Sequence, residues 1–174
     1  MDQLQISLEG KQIESNCFGC SSINPVGLKL DFIEGVNEVY ADFILSENFE
    51  SYPGLLHGGI VATILDEAMG QAILAKSGNM GLTLGLRVRF NSICESNTLY
   101  RVVGQICKND SQIIKTDATL LDANKDIVAY GEATFTEVSE EMVINEKVKI
   151  PKITRQYIKS VLKKREGNYG HYQK

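Results

Sequence analysis

The sequence predicts an α+β domain in which a curved antiparallel sheet wraps one long central helix. Three observations support this fold class. One segment, residues 57–76, has helical hydrophobic periodicity and contains no proline. Two runs with strand-like alternation precede this segment, and four longer runs separated by short turns follow it. A sheet built from such runs can bury a helix, which would explain the wide apolar arc that the helix carries.

The region before the helix begins with a turn-rich segment, residues 16–27, in which glycine, proline, asparagine and serine cluster. Residues 28–32 and 39–45 then alternate apolar and polar side chains, and residues 34–37 provide a turn between them. This pattern predicts a β-hairpin. Residues 46–56 contain a proline and a glycine and are predicted to form an irregular connection.

The predicted helix has a broad apolar face and a carboxylate outside it. The apolar residues that recur at helical spacing are Ile60, Val61, Ile64, Leu65, Ala68, Met69, Ala72 and Ile73. On a helical wheel of about 100° per residue they fill one arc. Asp66 falls outside this arc, on a helix that we expect to be mostly buried. A buried carboxylate requires a partner or a function, so Asp66 is a candidate functional residue.

Strand patterns dominate the chain after the helix. The predicted strands are residues 82–90, 99–108, 112–121 and 127–138, and the predicted turns are residues 96–97, 109–110 and 124–126. Long strands joined by short turns are typical of an antiparallel meander. Beyond Pro151, apolar residues at helical spacing predict a short amphipathic C-terminal helix.

We divide the chain into an N-terminal extension (1–16), one domain (17–145) and a basic helical tail (146–174). The tail contains nine Lys/Arg and two Asp/Glu, whereas residues 1–145 contain nine and twenty. We interpret the tail as a solvated helix packed on an acidic body. The sequence shows no Arg/aromatic stacking module of the kind that would indicate nucleic-acid binding. Without an export signal or a run of about 18 apolar residues, we expect a cytoplasmic protein that does not span a membrane.

The four cysteines, Cys17, Cys20, Cys94 and Cys107, are expected to be reduced thiols, because the chain has no export signal. Cys17 and Cys20 have the spacing of a metal-ligand pair. A structural zinc site needs four ligands, and the other two cysteines stand singly in predicted strands. We therefore expect no bound metal.

The segment His57-Gly58-Gly59 immediately precedes the predicted helix. Amides in the first turn of a helix lack intrahelical acceptors, and the positive end of the helix dipole lies there. Such amides can hold an oxyanion, and glycines let the backbone approach a ligand closely. Glycines at this place can also simply permit a tight turn, with the histidine as an N-cap. Asp66, about 2.5 turns further along, favours the functional interpretation.

Here the sequence resembles a known family. SYPGLLHGGIVATILDEAMGQAIL resembles the hotdog-fold thioesterases of the phenylacetyl-CoA and acyl-CoA type, in which His-Gly-Gly is followed at this spacing by a catalytic Asp or Glu. CFGCSSINPVGLKLDF resembles the N-terminal segment of several such proteins. The likeness covers residues 16–138. It implies a hotdog fold, hydrolysis of an acyl-CoA thioester, no cofactor beyond the CoA of the substrate, and self-association as a homodimer or a dimer of dimers.

The resemblance also implies catalytic roles. Asp66 matches the carboxylate that acts as nucleophile or as general base on a water. Gly58 matches the residue whose N–H binds the thioester oxygen, and His57 matches a histidine that positions the thioester. Thr83 falls where some members place a Ser or Thr beside the carboxylate. The resemblance further implies that different protomers contribute Asp66 and Gly58, and pairing of the strand 82–90 would suit such a dimer.

Five further residues are candidates for substrate binding. Ser51 stands six residues before the histidine, where one branch of the family has asparagine, so this chain departs from that branch. Gly59 supplies a second amide at the helix start, and Glu67 adjoins the predicted catalytic carboxylate. Arg87 and Arg89 share one face of a predicted strand, where they either meet CoA phosphates or form solvated surface.

Two other functions remain open from the sequence. Glu67-Ala68-Met69-Gly70-Gln71 resembles the helix motif of hydroxyacyl dehydratases, in which the Glu is catalytic. Those enzymes also use a histidine well upstream, and this chain has no histidine before residue 57. The second alternative is a non-catalytic protein that binds or senses acyl-CoA. No helix-turn-helix precedes the domain, which disfavours a DNA-binding sensor.

Overall fold

The structure, a computed structural model, describes residues 15–110 and 113–138. Within these residues it contains eight strands, a long α-helix and a 3₁₀ helix at Glu47–Phe49. The elements are β1 (Ile33–Glu34), β2 (Glu38–Ile44), β3 (Glu50–Tyr52), β4 (Leu55–Leu56), α1 (Gly58–Ser77), β5 (Met80–Phe90), β6 (Leu99–Asp110), β7 (Ile113–Leu121) and β8 (Ile127–Val138).

Six strands form one antiparallel sheet in the order β1-β2-β6-β7-β8-β5, and β3 pairs with β4 in a small separate hairpin. The strands β6, β7 and β8 follow one another as the predicted meander. The first strand after the helix, β5, adds to the far side of β8 and so becomes an edge strand. The predicted α+β class, a curved antiparallel sheet around one long helix, is confirmed.

The helix α1 is fixed at both ends and along one face. His57 is its N-cap, and Gly78 ends it in the left-handed conformation at φ 76°, where glycine is tolerated best. The residues buried against the sheet are Val61, Ile64, Leu65, Ala68, Met69, Ala72 and Ile73. A Cβ added to Gly104 of β6 would lie 2.4 Å from the carbonyl oxygen of Ala68. Only glycine therefore allows the helix to pack this closely on the sheet.

By length and mean hydropathy, 1.2 over an 18-residue window, α1 meets the criteria for a helix that crosses a membrane. Buried core helices meet the same criteria. The sheet packed around α1 accounts for its apolar composition in this fold.

A β-bulge between Thr83 and Gly85 decides which face each residue of β5 presents. Beyond the bulge, Leu86, Val88 and Phe90 lie opposite Ala133, Gly131 and Ala129 of β8, on the face that packs against α1. The two arginines of β5 therefore lie on the other face of the sheet. Without the extra residue, this alternation would be reversed.

The prediction of a strand at residues 28–32 is wrong. Leu28 and Leu30 are buried, as their alternation indicated, but their N–H groups donate to Phe18 and Gly19 instead of to a strand. Lys29 between them has a positive φ of 56°, which ends any extended run. The strand that forms the hairpin with β2 is the short β1.

Two further differences are small. The predicted turn at residues 109–110 is wrong, because β6 continues to Asp110. The segment predicted as irregular, residues 46–56, contains the hairpin of β3 and β4. The predicted C-terminal helix lies outside the described residues.

Candidate functional site

The helix start leaves one amide available. The Gly59 N–H donates to His57 Nδ1 at 2.9 Å, and the N–H groups of Ile60 and Val61 donate to the His57 carbonyl oxygen at 2.9 and 3.2 Å. The first N–H of the helix, that of Gly58, has no acceptor within the described residues. Because the positive end of the helix dipole lies at this point, the Gly58 N–H can bind an anionic or polarised oxygen.

Phe90, the last residue of β5, flanks this amide. A Cβ added to Gly58 would lie 3.5 Å from Phe90 Cζ, which is an ordinary contact distance. Phe90 is 54% exposed, so its ring forms an apolar wall beside the helix start that remains open to a ligand.

Asp66 lies at the middle of α1, and its side chain turns toward β5. The Thr83 hydroxyl donates to Asp66 Oδ1 at 2.9 Å. A bulge follows Thr83 in β5. Bulges change the direction in which neighbouring side chains point. The carboxylate is thus held by one hydrogen bond, and Oδ2 remains available to a water or a substrate.

Burial raises the pKa of the Asp66 carboxyl above its ordinary value. The hydrogen bond from Thr83 lowers this pKa, and the negative charge of Glu67 raises it further. A carboxylate with a raised pKa accepts a proton more readily than an exposed aspartate, which suits a general base.

Gly58 and Asp66 do not meet within one chain. They are eight residues apart on the same helix, which corresponds to about 12 Å along the axis. A thioester carbonyl in contact with the Gly58 amide is therefore out of reach of the Asp66 carboxylate of the same protomer.

The fold recurs among solved structures. Zebrafish thioesterase superfamily member 2 aligns with a TM-score of 0.58 and 20% identity, over 64% of this chain and 82% of that one. A Streptococcus mutans protein bound to acetyl-CoA aligns with a TM-score of 0.59 and 18% identity, over 63% and 89%. A Bacillus halodurans protein with CoA aligns with a TM-score of 0.58 and 23% identity, over 64% and 76%.

The chain has the hotdog fold. The fold that the resemblance implied is confirmed, since this chain shares the architecture of these solved structures. No family profile and no curated protein matches the sequence. At these identities the structural likeness establishes the fold, and the function of this hotdog chain has to be argued from its own residues.

The hotdog fold separates the other candidate residues from Asp66. Ser51 lies exposed on β3, and the Gly59 amide is occupied by His57. Glu67 points to the loop of residues 15–30, which we call the N-terminal loop, and not to β5. Arg87 and Arg89 share one face, as expected, but they lie opposite Glu132 and Tyr130, on the outer side of the sheet.

Sequence reasoning did not identify two residues that contact candidate residues, Phe90 beside Gly58 and Gln71 beside Glu67. Phe90 borders the helix start, and its place as the last apolar residue of an alternating strand was the available signal. Gln71 donates to the Glu67 Oε1 at 3.0 Å, and their i,i+4 spacing on a helix was the available signal.

Proposed function

We propose that this protein is an acyl-CoA thioesterase that hydrolyses a thioester to a carboxylic acid and CoA. The observation that carries the proposal is the half-buried Asp66 carboxylate, with a raised pKa and a hydrogen bond from Thr83. The solved relatives with CoA and acetyl-CoA support the choice of substrate class.

Asp66 acts either as the nucleophile on the thioester carbonyl or as the base that activates a water. Both roles need the ionised carboxylate, and neither needs a metal. Thr83 keeps one carboxylate oxygen in place, so that the other is aimed at the reacting group. The amide of Gly58 stabilises the oxyanion that forms on the thioester oxygen.

The site is completed by a second copy of the chain. One protomer holds Asp66 and Gly58 about 12 Å apart, so a complete site requires Gly58 from a partner. The edge strand β5 has no sheet neighbour on one side within the described residues, and it exposes Leu82, Leu84 and Leu86. A long apolar edge of this kind is suited to antiparallel pairing with its own copy.

The arrangement favours Asp66 over Glu67 as the catalytic acid. The Glu67 carboxylate accepts hydrogen bonds from Gln71 and from the Cys17 thiol. It lies on the side of α1 that faces the N-terminal loop, away from Thr83 and β5. A dehydratase that used Glu67 would have no histidine beside it in the described part of the chain, since the one described histidine is His57 at the helix start.

Thiol release from a panel of acyl-CoA thioesters tests the proposal. Steady turnover with release of free CoA supports a thioesterase. Ligand-induced thermal stabilisation without thiol release, across aliphatic and aromatic acyl-CoAs, would instead show the non-catalytic binding protein.

The pH dependence of hydrolysis should report Asp66. Because the carboxylate must be ionised and its pKa is raised, kcat/KM should fall as the pH decreases through a value above the usual 3.9 or so of aspartate. Thr83→Val removes the hydrogen bond that lowers this pKa, so the acid limb should move to higher pH. Thr136→Val, on the outer face of β8, is the matched control and should leave the limb in place. An unchanged limb in Thr83→Val would contradict the assignment.

Hydrolysis should continue after exhaustive chelation, because the proposed groups are a carboxylate and a backbone amide. The measurement is kcat for an acyl-CoA before and after dialysis against a strong chelator. A loss of kcat in chelated protein that is still fully folded by circular dichroism, restored by adding back one metal ion per chain, would refute this mechanism.

A further inference from the structure

Two thiols and a carboxylate converge where the N-terminal loop meets α1, away from Thr83 and β5. The Sγ atoms of Cys17 and Cys20 and a carboxylate oxygen of Glu67 all lie within 4.8 Å of one another. Cys17 Sγ is 3.4 Å from Glu67 Oε2. Cys17, Cys20 and Glu67 are all half-buried at this contact.

The N-terminal loop is shaped for this contact. The Gly19 N–H donates to Cys17 Sγ at 3.3 Å, and the Ser21 N–H donates to the Cys17 carbonyl oxygen at 3.3 Å. A Cβ added to Gly19 would lie 2.4 Å from Glu67 Oε2. Glycine at this position therefore lets the carboxylate reach the two sulfur atoms.

Gln71, one turn along α1, orients the cluster. Its Nε2 donates to Glu67 Oε1 at 3.0 Å and to Cys20 Sγ at 3.4 Å. Such hydrogen bonds from a neighbouring side chain are how proteins hold metal ligands in place.

The cluster has no cationic partner within the described residues, whose two ion pairs are Asp42–Arg101 and Lys108–Asp110. Two thiols and a carboxylate at this spacing are a donor set for a thiophilic divalent cation. Around tetrahedral zinc, donor atoms lie roughly 3.6–3.8 Å apart, close to the sulfur–oxygen distance here. We propose that Cys17, Cys20 and Glu67 bind one thiophilic divalent metal ion such as Zn²⁺, with a fourth position open to water.

Binding exchanges protons for the metal. Each thiol loses its proton to solvent as a metal–sulfur bond forms, and the ionised carboxylate supplies the third donor, so two protons are released per ion. The ion fastens the N-terminal loop to α1, and with it Leu28 and Leu30, which that loop places in the core. Its role is structural, and it does not depend on the proposed hydrolysis. This proposal replaces our expectation of no bound metal, which counted only cysteine and histidine as ligands.

Titration of the reduced, metal-free full-length protein with Co²⁺ or Cd²⁺ tests the site. We expect one ion per chain, with thiolate-to-metal charge-transfer absorption, and a rise in the thermal unfolding midpoint on adding one equivalent of Zn²⁺. Cys17→Ser and Cys20→Ser should weaken binding by more than the roughly 10–100-fold that a change in a neighbouring group costs. Cys107→Ser is the matched control, because Cys107 is a single thiol beside the Asp117 carboxylate.

Two variants test the carboxylate without touching the thiols. Glu67→Gln should weaken binding, and Gly19→Ala should do the same because its Cβ displaces the Glu67 carboxylate. A competition assay with a chromophoric chelator measures both. Three results would overturn the proposal: no charge-transfer band in the reduced wild-type protein, wild-type affinity in Cys17→Ser, or wild-type affinity in both Glu67→Gln and Gly19→Ala. If the wild-type band is intact and hydrolysis is absent, only the proposed function fails.

Discussion

Replacing Asp66 with asparagine is expected to lower kcat/KM for acyl-CoA hydrolysis by about 10²–10⁴-fold, the range that a positioned acid or base contributes. Asparagine keeps the shape of the side chain and can still accept the hydrogen bond from Thr83. It lacks the negative charge that attacks the carbonyl or activates the water. Initial rates of CoA release with a saturating and a limiting concentration of one acyl-CoA give kcat and kcat/KM separately.

The thermal unfolding midpoint of Asp66→Asn should be no lower than that of the wild-type protein, and its oligomeric state should be the same. This is expected because the neutral amide avoids the burial penalty that raises the pKa of Asp66. Glu67→Gln, one residue along the helix, should lose far less activity. If Glu67→Gln is the inactive variant and Asp66→Asn retains its rate, Glu67 is the catalytic acid, as in the hydroxyacyl dehydratases.

Replacing Gly58 with proline is expected to lower kcat by about 10²–10³-fold, the cost of removing one oxyanion donor. Proline removes the Gly58 N–H and adds a ring, and the helix should tolerate it because Gly58 is the first residue of α1. The preceding residue, His57, has φ −65° and ψ 133°, the extended conformation that proline requires before it. The helix should therefore form as in the wild-type protein.

Gly58→Ala is the matched control for that substitution. It adds a Cβ that meets only Phe90, at 3.5 Å, and it keeps the N–H. Activity in Gly58→Ala should stay far above that of Gly58→Pro. Equal losses in the two variants would mean that the added side chain, and not the lost amide, is responsible.

Co-expression of the two inactive variants tests whether the site is shared between protomers. In a heterodimer of Asp66→Asn with Gly58→Pro, one site receives both defects and the other receives neither. Random pairing should then restore about a quarter of the wild-type rate, since half of the dimers are mixed and each has one intact site. Sites built within one protomer would give no restoration.

The sequence predicted the elements with strong local patterns. The helical period of residues 57–76 located α1 because its buried face must recur every turn. The alternation of residues 127–138 located β8 with its bounds. The hairpin before the helix was misplaced, because the same alternation of Leu28 and Leu30 arises in a loop whose leucines are buried and whose amides bond to another part of the same loop.

In the candidate site, too, the sequence predicted what local residue patterns carry and missed what depends on contacts. Asp66 was identified from the sequence, because a charged residue on an otherwise apolar helix is conspicuous wherever the helix packs. His57 and the glycines after it marked the helix start, but only the backbone showed that His57 engages three of the first four amides and leaves that of Gly58.

The sequence by itself determined the fold class, the long central helix and the acid within it, since each follows from short-range periodicity and residue type. The tertiary structure decided which groups meet. The bulge in β5 turns Arg87 and Arg89 away from α1, and the packing of the N-terminal loop brings Cys17 and Cys20 to Glu67 across some 50 residues of sequence. Contacts of this kind depend on strand register and loop geometry. The residue types next to one position in the sequence do not determine either of them.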